Sequence, residues 1–118
     1  MKKILIIGKR GFIGQHLNKY LKKKFKTKKI SFKELKKFQS KLDTFDFIIN
    51  SSINKNYVSK QYNEKFDNDL KISKLINNRK TIYCFISTRK VYPNKANLKE
   101  KSKLSPKTHY SKNKSITE

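Results

Sequence analysis

Apolar and polar positions fall into alternating blocks along the chain. Ile4 to Ile7 form an unbroken aliphatic run, which suits a parallel strand buried on both faces and suits an edge strand poorly. A glycine turn follows at once. Phe12, Ile13, Leu17, Tyr20, Leu21 and Phe25 then recur at helical spacing, predicting a first helix over residues 13–24. A short second strand is expected near residues 28–32, and a brief helix over 33–40 with Leu35 and Phe38 turned inward. Phe45-Asp-Phe-Ile-Ile-Asn50 reads as a third buried strand, and the polar residues 51–56 as a loop. A longer helix is predicted over 62–77, with Phe66, Leu70, Ile72, Leu75 and Ile76 on its apolar face. The fourth strand, residues 81–87, is rich in β-branched and aromatic residues. From Arg89 to His109 the sequence turns polar, with Pro93 and Pro106 and no periodicity, as a surface loop bordering a site does. Residues 110–118 start another helix.

Strands alternating with helices imply a doubly wound α/β fold, Rossmann-like, with a parallel sheet covered on both faces. The opening turn, Gly8-Lys-Arg-Gly11-Phe-Ile-Gly14, sharpens this, because the chain's three glycines all lie within it. Gly8 allows the sharp reversal, Gly11 lets the backbone approach a pyrophosphate, and Gly14 lets the helix pack on the strand. The helix N-terminus then offers free N–H groups and a positive dipole end to the phosphates. Gly8, Arg10, Gly11, Phe12, Ile13 and Gly14 are the first candidate cofactor residues.

The chain has 118 residues, one domain at most and short for a complete two-domain enzyme. No apolar run is long enough to span a membrane, and the N-terminus becomes a strand too early for a cleaved signal, so a cytoplasmic protein is expected. The lone cysteine, Cys84, lies in the apolar run Ile82-Tyr-Cys-Phe-Ile86 and is expected as a buried core residue, with no metal site or disulfide. The formal charge is +23, from 31 Lys and Arg against 8 Asp and Glu, which ordinarily points to a polyanion. Arginine stands only at positions 10, 79 and 89. Lysine spread along the whole chain fits a biased composition better than a groove-reading surface, which favours bidentate arginine. No specific nucleic-acid partner is expected.

In a doubly wound sheet, ligands sit beyond the carboxyl ends of the strands. That brings Gly8 to Gly14, Asn50 to Ile53 and Ser87-Thr88 to one rim. After the polar loop comes Tyr110-Ser-Lys-Asn-Lys114, which on a helix sets Tyr110 and Lys114 one turn apart on the same face. An ammonium beside a phenol favours the phenolate, so the phenol can exchange a proton with an alcohol near neutral pH.

Taken in order, Gly8-Lys-Arg-Gly-Phe-Ile-Gly14, Asp46-Phe-Ile-Ile-Asn50, Asn68, Ile86-Ser-Thr-Arg-Lys-Val-Tyr92 and Tyr110 with Lys114 resemble the extended short-chain dehydrogenase/reductases, the NAD-dependent epimerase/dehydratase family acting on nucleotide sugars. The resemblance covers essentially the whole chain. It implies Tyr110 as acid/base, Lys114 as the residue that lowers its pKa and binds the nicotinamide ribose, and Thr88 as the hydroxyl that orients the substrate oxygen, with Ser87 its neighbour. It implies that Asn50, Ser51, Ser52 and Ile53 line the adenosine side of the cofactor and that Asn68 holds the nearby backbone. Glu118 resembles the acidic residue often found four positions after the lysine.

The implied activity is NAD(P)-dependent epimerisation, dehydration or keto-reduction of a nucleotide sugar, in surface polysaccharide synthesis, with a homodimer where the tyrosine helix is completed. Family members continue past that helix into a substrate-binding region, so the chain is expected to be an N-terminal portion of a longer protein or a truncated gene product. Pro93 replaces the usual glycine after Val-Tyr, Ser51-Ser52-Ile53 the usual small residues, and Lys71-Ile72 the usual glycine-threonine. With Ser31, Phe32 and Lys33 at the expected end of the second strand and Arg10 in the turn, NADP is favoured over NAD. Two other classes stay open: a dinucleotide-binding module without turnover, and a basic nucleic-acid-binding α/β domain with a structural glycine turn.

Overall fold

The structure, a computed structural model, describes residues 1–86 and 109–117. In chain order its elements are β1 (Lys3–Ile7), α1 (Phe12–Leu21), β2 (Lys26–Ile30), α2 (Leu35–Phe38), β3 (Phe47–Asn50), α3 (Lys55–Ser59), α4 (Asn68–Leu75), β4 (Ile82–Phe85) and α5 (His109–Thr117), with 3-10 turns at Phe32–Glu34, Gln39–Thr44 and Glu64–Phe66. Two compact units result, one of Met1–Ser52 with Asn68–Ile86, the other of Ile53–Asp67 with the described residues of α5.

The first unit is built on a parallel four-stranded sheet in the order β2-β1-β3-β4. The aliphatic run takes an inner position, and Leu5, Ile6 and Ile7 are wholly buried. Register sets Ile7 beside both Ile30 and Asn50, and Asn50 beside Phe85, so the carboxyl ends of the strands form a level rim. Asp46 ties the opposite ends together. Its carboxylate accepts the Lys3 N–H at 2.8 Å, its N–H donates to Lys3 O, and its carbonyl accepts the Ile82 N–H. On one face of the sheet Leu5, Ile7, Ile30 and Ile48 pack with Leu35, Leu42 and Ile72, flanked by Phe32, Phe38, Phe45, Leu75, Ile76 and Tyr83. Each such buried aliphatic side chain contributes roughly 1.5–3 kcal/mol.

Several boundaries differ from expectation, each for a physical reason. β2 begins at Lys26 and ends at Ile30, because pairing with β1 fixes its register while the lysines of an edge strand carry no apolar signal. Ser31 then starts the turn that was expected as strand. The brief helix is a 3-10 turn, a single α turn and a further 3-10 stretch. The long helix is broken at Asp67: α4 starts only at Asn68. The loop expected over 51–56 gives way at Lys55 to α3, and the Asn54 side chain caps that helix by accepting the Asn56 N–H at 2.8 Å. α1 buries Gly14 and half-buries Leu17 and Leu21, so Phe12 (76% exposed) and Tyr20 (70%) face outward.

Cys84 is exposed rather than in the core. It lies on β4, where Tyr83 and Phe85 are half-buried while Ile82 and Cys84 alternate outward. No helix among the described residues is long and apolar enough to cross a membrane.

In the second unit, α5 is joined to the α3 region through a buried amide. Asn113 Nδ2 donates to the carbonyls of Tyr57 at 2.7 Å and Lys60 at 2.8 Å.

Candidate functional site

The glycine turn leaves β1 at Gly8, whose φ of +108° is in the left-handed region that other residues avoid. Its N–H and that of Lys9 both donate to Ile30 O, at 2.8 and 3.1 Å, so the turn is anchored on the neighbouring strand end. Gly14 has no room for a side chain: a Cβ there would collide with the Gly8 carbonyl. Gly11 is different. Its φ and ψ of −76° and 157° suit any residue, and a Cβ there would meet nothing nearer than Gly8 O at 3.6 Å. The fold itself therefore does not require glycine at position 11, whereas a phosphate group lying against the backbone would. Gly11 is also the N-cap of α1 and supplies no side chain to it, leaving the helix N-terminus open to an anion. Arg10, Phe12 and Ile13 are exposed at this turn.

Beside it runs the loop after β3. The N–H and hydroxyl of Ser51 both donate to Ile7 O, at 2.8 and 2.9 Å. Asn50 is buried, and its Oδ1 accepts the Ser52 N–H at 2.9 Å and the Ser52 hydroxyl. Its Nδ2 donates to Asp69 Oδ1 at 2.7 Å. Asn68, at the start of α4, donates to Ser52 Oγ at 3.3 Å. Asn50 thus shapes the loop from beneath, and Ser51 and Ser52 are the residues it holds at the rim.

A carboxylate does stand just past β2. Ser31 and Glu34 form a capping box, with the Ser31 N–H and hydroxyl donating to Glu34 Oε1 at 3.3 and 3.1 Å. Lys9 of the glycine turn pairs with the same oxygen. The Lys9 ammonium, then the two Ser31 donors, hold the Glu34 carboxyl down at about 2 against an ordinary 4.5. Glu34 escaped the sequence reading, although Ser31-Phe-Lys-Glu34 has the S-x-x-E spacing of a helix start.

In the second unit, Tyr110 and Lys114 lie on one face of α5, with Lys114 Nζ 6.0 Å from the Tyr110 ring centroid. Lys114 is 4% exposed, and its ammonium also lies 5.4 Å from the centroid of the Tyr57 ring, a cation–π arrangement. The Tyr57 hydroxyl shares a 2.6 Å hydrogen bond with Thr117, whose hydroxyl donates to the buried Asp67 at 2.8 Å. Asp67 also accepts the Tyr62 hydroxyl at 2.8 Å. Burial, then Asp67, pushes the Tyr62 phenol up to about 12, so it remains a donor. Tyr57 and Asp67 were not anticipated, for neither belongs to a recognisable spacing.

No protein-family model and no curated protein matches the chain. Solved structures do. UDP-N-acetylglucosamine 4-epimerase from Bacillus cereus aligns over 99% of this chain and 52% of its own, at 17% identity and a TM-score of 0.71. The NAD-dependent NDP-hexosamine 5,6-dehydratase of tunicamycin biosynthesis gives 99% and 48%, 18% and 0.74. A short-chain dehydrogenase/reductase superfamily protein from Agrobacterium tumefaciens with bound NAD gives 98% and 42%, 11% and 0.73.

The chain has a Rossmann-like fold. It spans about half the length of the structures it matches, and the fold implied by the sequence resemblance is the one found. In a Rossmann-like sheet the ligand crevice lies beyond the strands' carboxyl ends. There the first unit gathers Gly8, Gly11, Gly14, Asn50, Ser51, Ser52 and Asn68. The second unit carries Tyr110 and Lys114 on α5. Thr88, Ser87 and Glu118, like the loop expected over 89–109 apart from His109, lie outside the described residues.

Proposed function

We propose that the chain is the dinucleotide-binding portion of an extended short-chain dehydrogenase/reductase that epimerises, dehydrates or reduces a nucleotide sugar. The observation that carries this reading is the Lys114 ammonium beside the Tyr110 ring, on a chain whose fold opens with a glycine turn. Tyr110 would take a proton from the sugar hydroxyl and return it, with the buried Lys114 ammonium favouring the phenolate. Thr88 would donate to the same oxygen. A nicotinamide ring, when bound, exchanges a hydride with the carbon bearing that oxygen. Gly11 and the N-terminus of α1 would hold the pyrophosphate, with Ser51 and Ser52 along the adenosine side.

Of the two dinucleotides, NAD is the better fit to this rim. Glu34 sets a carboxylate in the turn just past β2, where it would suit a ribose 2′-hydroxyl and repel a 2′-phosphate, and it neutralises Lys9. Arg10 is the remaining cation in favour of NADP. A cytoplasmic enzyme serving surface polysaccharide synthesis fits this chemistry.

The test is titration of the chain with NADH and NADPH, followed by thermal shift and nicotinamide fluorescence. Ligand at ten times its dissociation constant should add about 1.4 kcal/mol, with NADH the tighter. A folded chain stabilised by neither defeats the reading. In the protein that carries the substrate-binding remainder, Tyr110→Phe should abolish turnover and spare cofactor affinity; retained turnover removes Tyr110 from the mechanism.

A further inference from the structure

We infer that Asp69 is a positioning residue of the dinucleotide rim: through Asn50, its buried carboxylate fixes the Ser51-Ser52 loop against the glycine turn. This rests on the reading of that turn as a dinucleotide site. A carboxylate only accepts hydrogen bonds, whereas an asparagine amide has one donating and one accepting end. Asp69, 5% exposed, receives Asn50 Nδ2 and the Tyr83 hydroxyl on one oxygen. Asn50 is thereby held one way round, with Oδ1 turned to the Ser52 N–H and hydroxyl. Rotated by 180°, it would set its NH2 against the Ser52 N–H, donor to donor, and against a carboxylate its oxygen, acceptor to acceptor.

The constraint reaches the turn without slack. Ser51 is bonded to Ile7 O through both its N–H and its hydroxyl, and a Cβ built on Gly8 would lie 2.5 Å from Ser51 Oγ and 3.0 Å from the Ser52 nitrogen. A shift of the loop toward the turn therefore closes on Gly8 and Gly14, and a shift away breaks the Ser51 bonds to Ile7 O. Asp69 stands in the first turn of α4, where the helix dipole favours its charge, and Tyr83 brings β4 into the same cluster. Asp69 never touches the ligand; it acts through Asn50.

Two readouts separate positioning from general stability: the NADH dissociation constant of the chain by fluorescence, and amide hydrogen exchange at Ser52 by NMR. Asp69→Ala should weaken NADH at least tenfold and speed Ser52 exchange at least tenfold. Ile72→Val, a core change on the same helix, should alter neither by more than twofold. Equal behaviour of the two variants, or an unchanged Asp69→Ala, overturns the inference. Should Asp69→Ala not fold, Asp69→Asn decides: a neutral amide holds Asn50 Nδ2 less firmly than a carboxylate does, so both quantities should shift two- to fivefold, and no shift overturns the inference. A wild-type chain that ignores NADH defeats the dinucleotide reading alone, since the exchange comparison still decides what Asp69 does.

Discussion

The three glycines of the turn do different work, and single substitutions separate them. Gly14→Ala drives a methyl group into the Gly8 carbonyl and should cost at least about 2 kcal/mol, read as a lowered urea midpoint. Gly11→Ala meets open space in an ordinary backbone conformation and should change stability by less than about 1 kcal/mol, while sharply weakening dinucleotide binding. Equal stability losses in the two variants would mean that the fold, not a ligand, holds glycine at position 11. Glu34 offers a second residue-scale test. Its folded-state carboxyl is lowered from 4.5 to about 2, so its contribution is present above the unfolded value and is lost as pH falls through that window. The stability difference between wild type and Glu34→Gln should therefore shrink between pH 4.5 and 2. The same variant should move coenzyme preference toward NADPH, measured by paired titrations; a preference left where it was removes Glu34 from the ribose site.

At the scale of elements, the sequence was most readable where one physical signal dominated. The aliphatic block from Ile4 to Ile7 suited an inner strand, and the strand-glycine-helix succession pointed to Gly8, Gly11 and Gly14 at the rim. The edge strand β2 was misplaced because Lys26, Lys28 and Lys29 are exposed along it, so pairing with β1 rather than side-chain hydrophobicity sets its limits. α3 was hidden for a related reason: its cap, Asn54, sits in a polar run that reads equally as loop. The tie between Asn113 and the carbonyls of Tyr57 and Lys60 spans more than fifty positions, and no local pattern announces it. Asn113→Ala leaves the buried Tyr57 carbonyl and the part-buried Lys60 carbonyl without that donor and should cost about 1–3 kcal/mol, visible as faster amide exchange in α5. The Tyr110 and Lys114 pairing was legible because helical periodicity alone puts them on one face; the partners of Lys114 and the Asp69 cluster were not, since both depend on the tertiary fold.

Across the whole molecule, the basic surface has a structural counterpart in the sheet order. β2 lies at one end of the sheet, and a bare strand edge is an invitation to pair with another copy. Here that edge carries exposed lysines at positions 26, 28 and 29 on a chain of net charge +23, so two copies approaching edge to edge meet like charges in register. The barrier is electrostatic rather than steric, and salt can lift it: the screening length falls from about 10 Å at 0.1 M to about 3 Å at 1 M. Light scattering across a salt series should accordingly report a dispersed chain at low ionic strength and growing self-association as salt rises, with Lys26→Thr and Lys28→Thr together bringing the onset to lower salt. The lysine ladder would then be a colloidal safeguard, one whose strength is set by the solvent as much as by the fold.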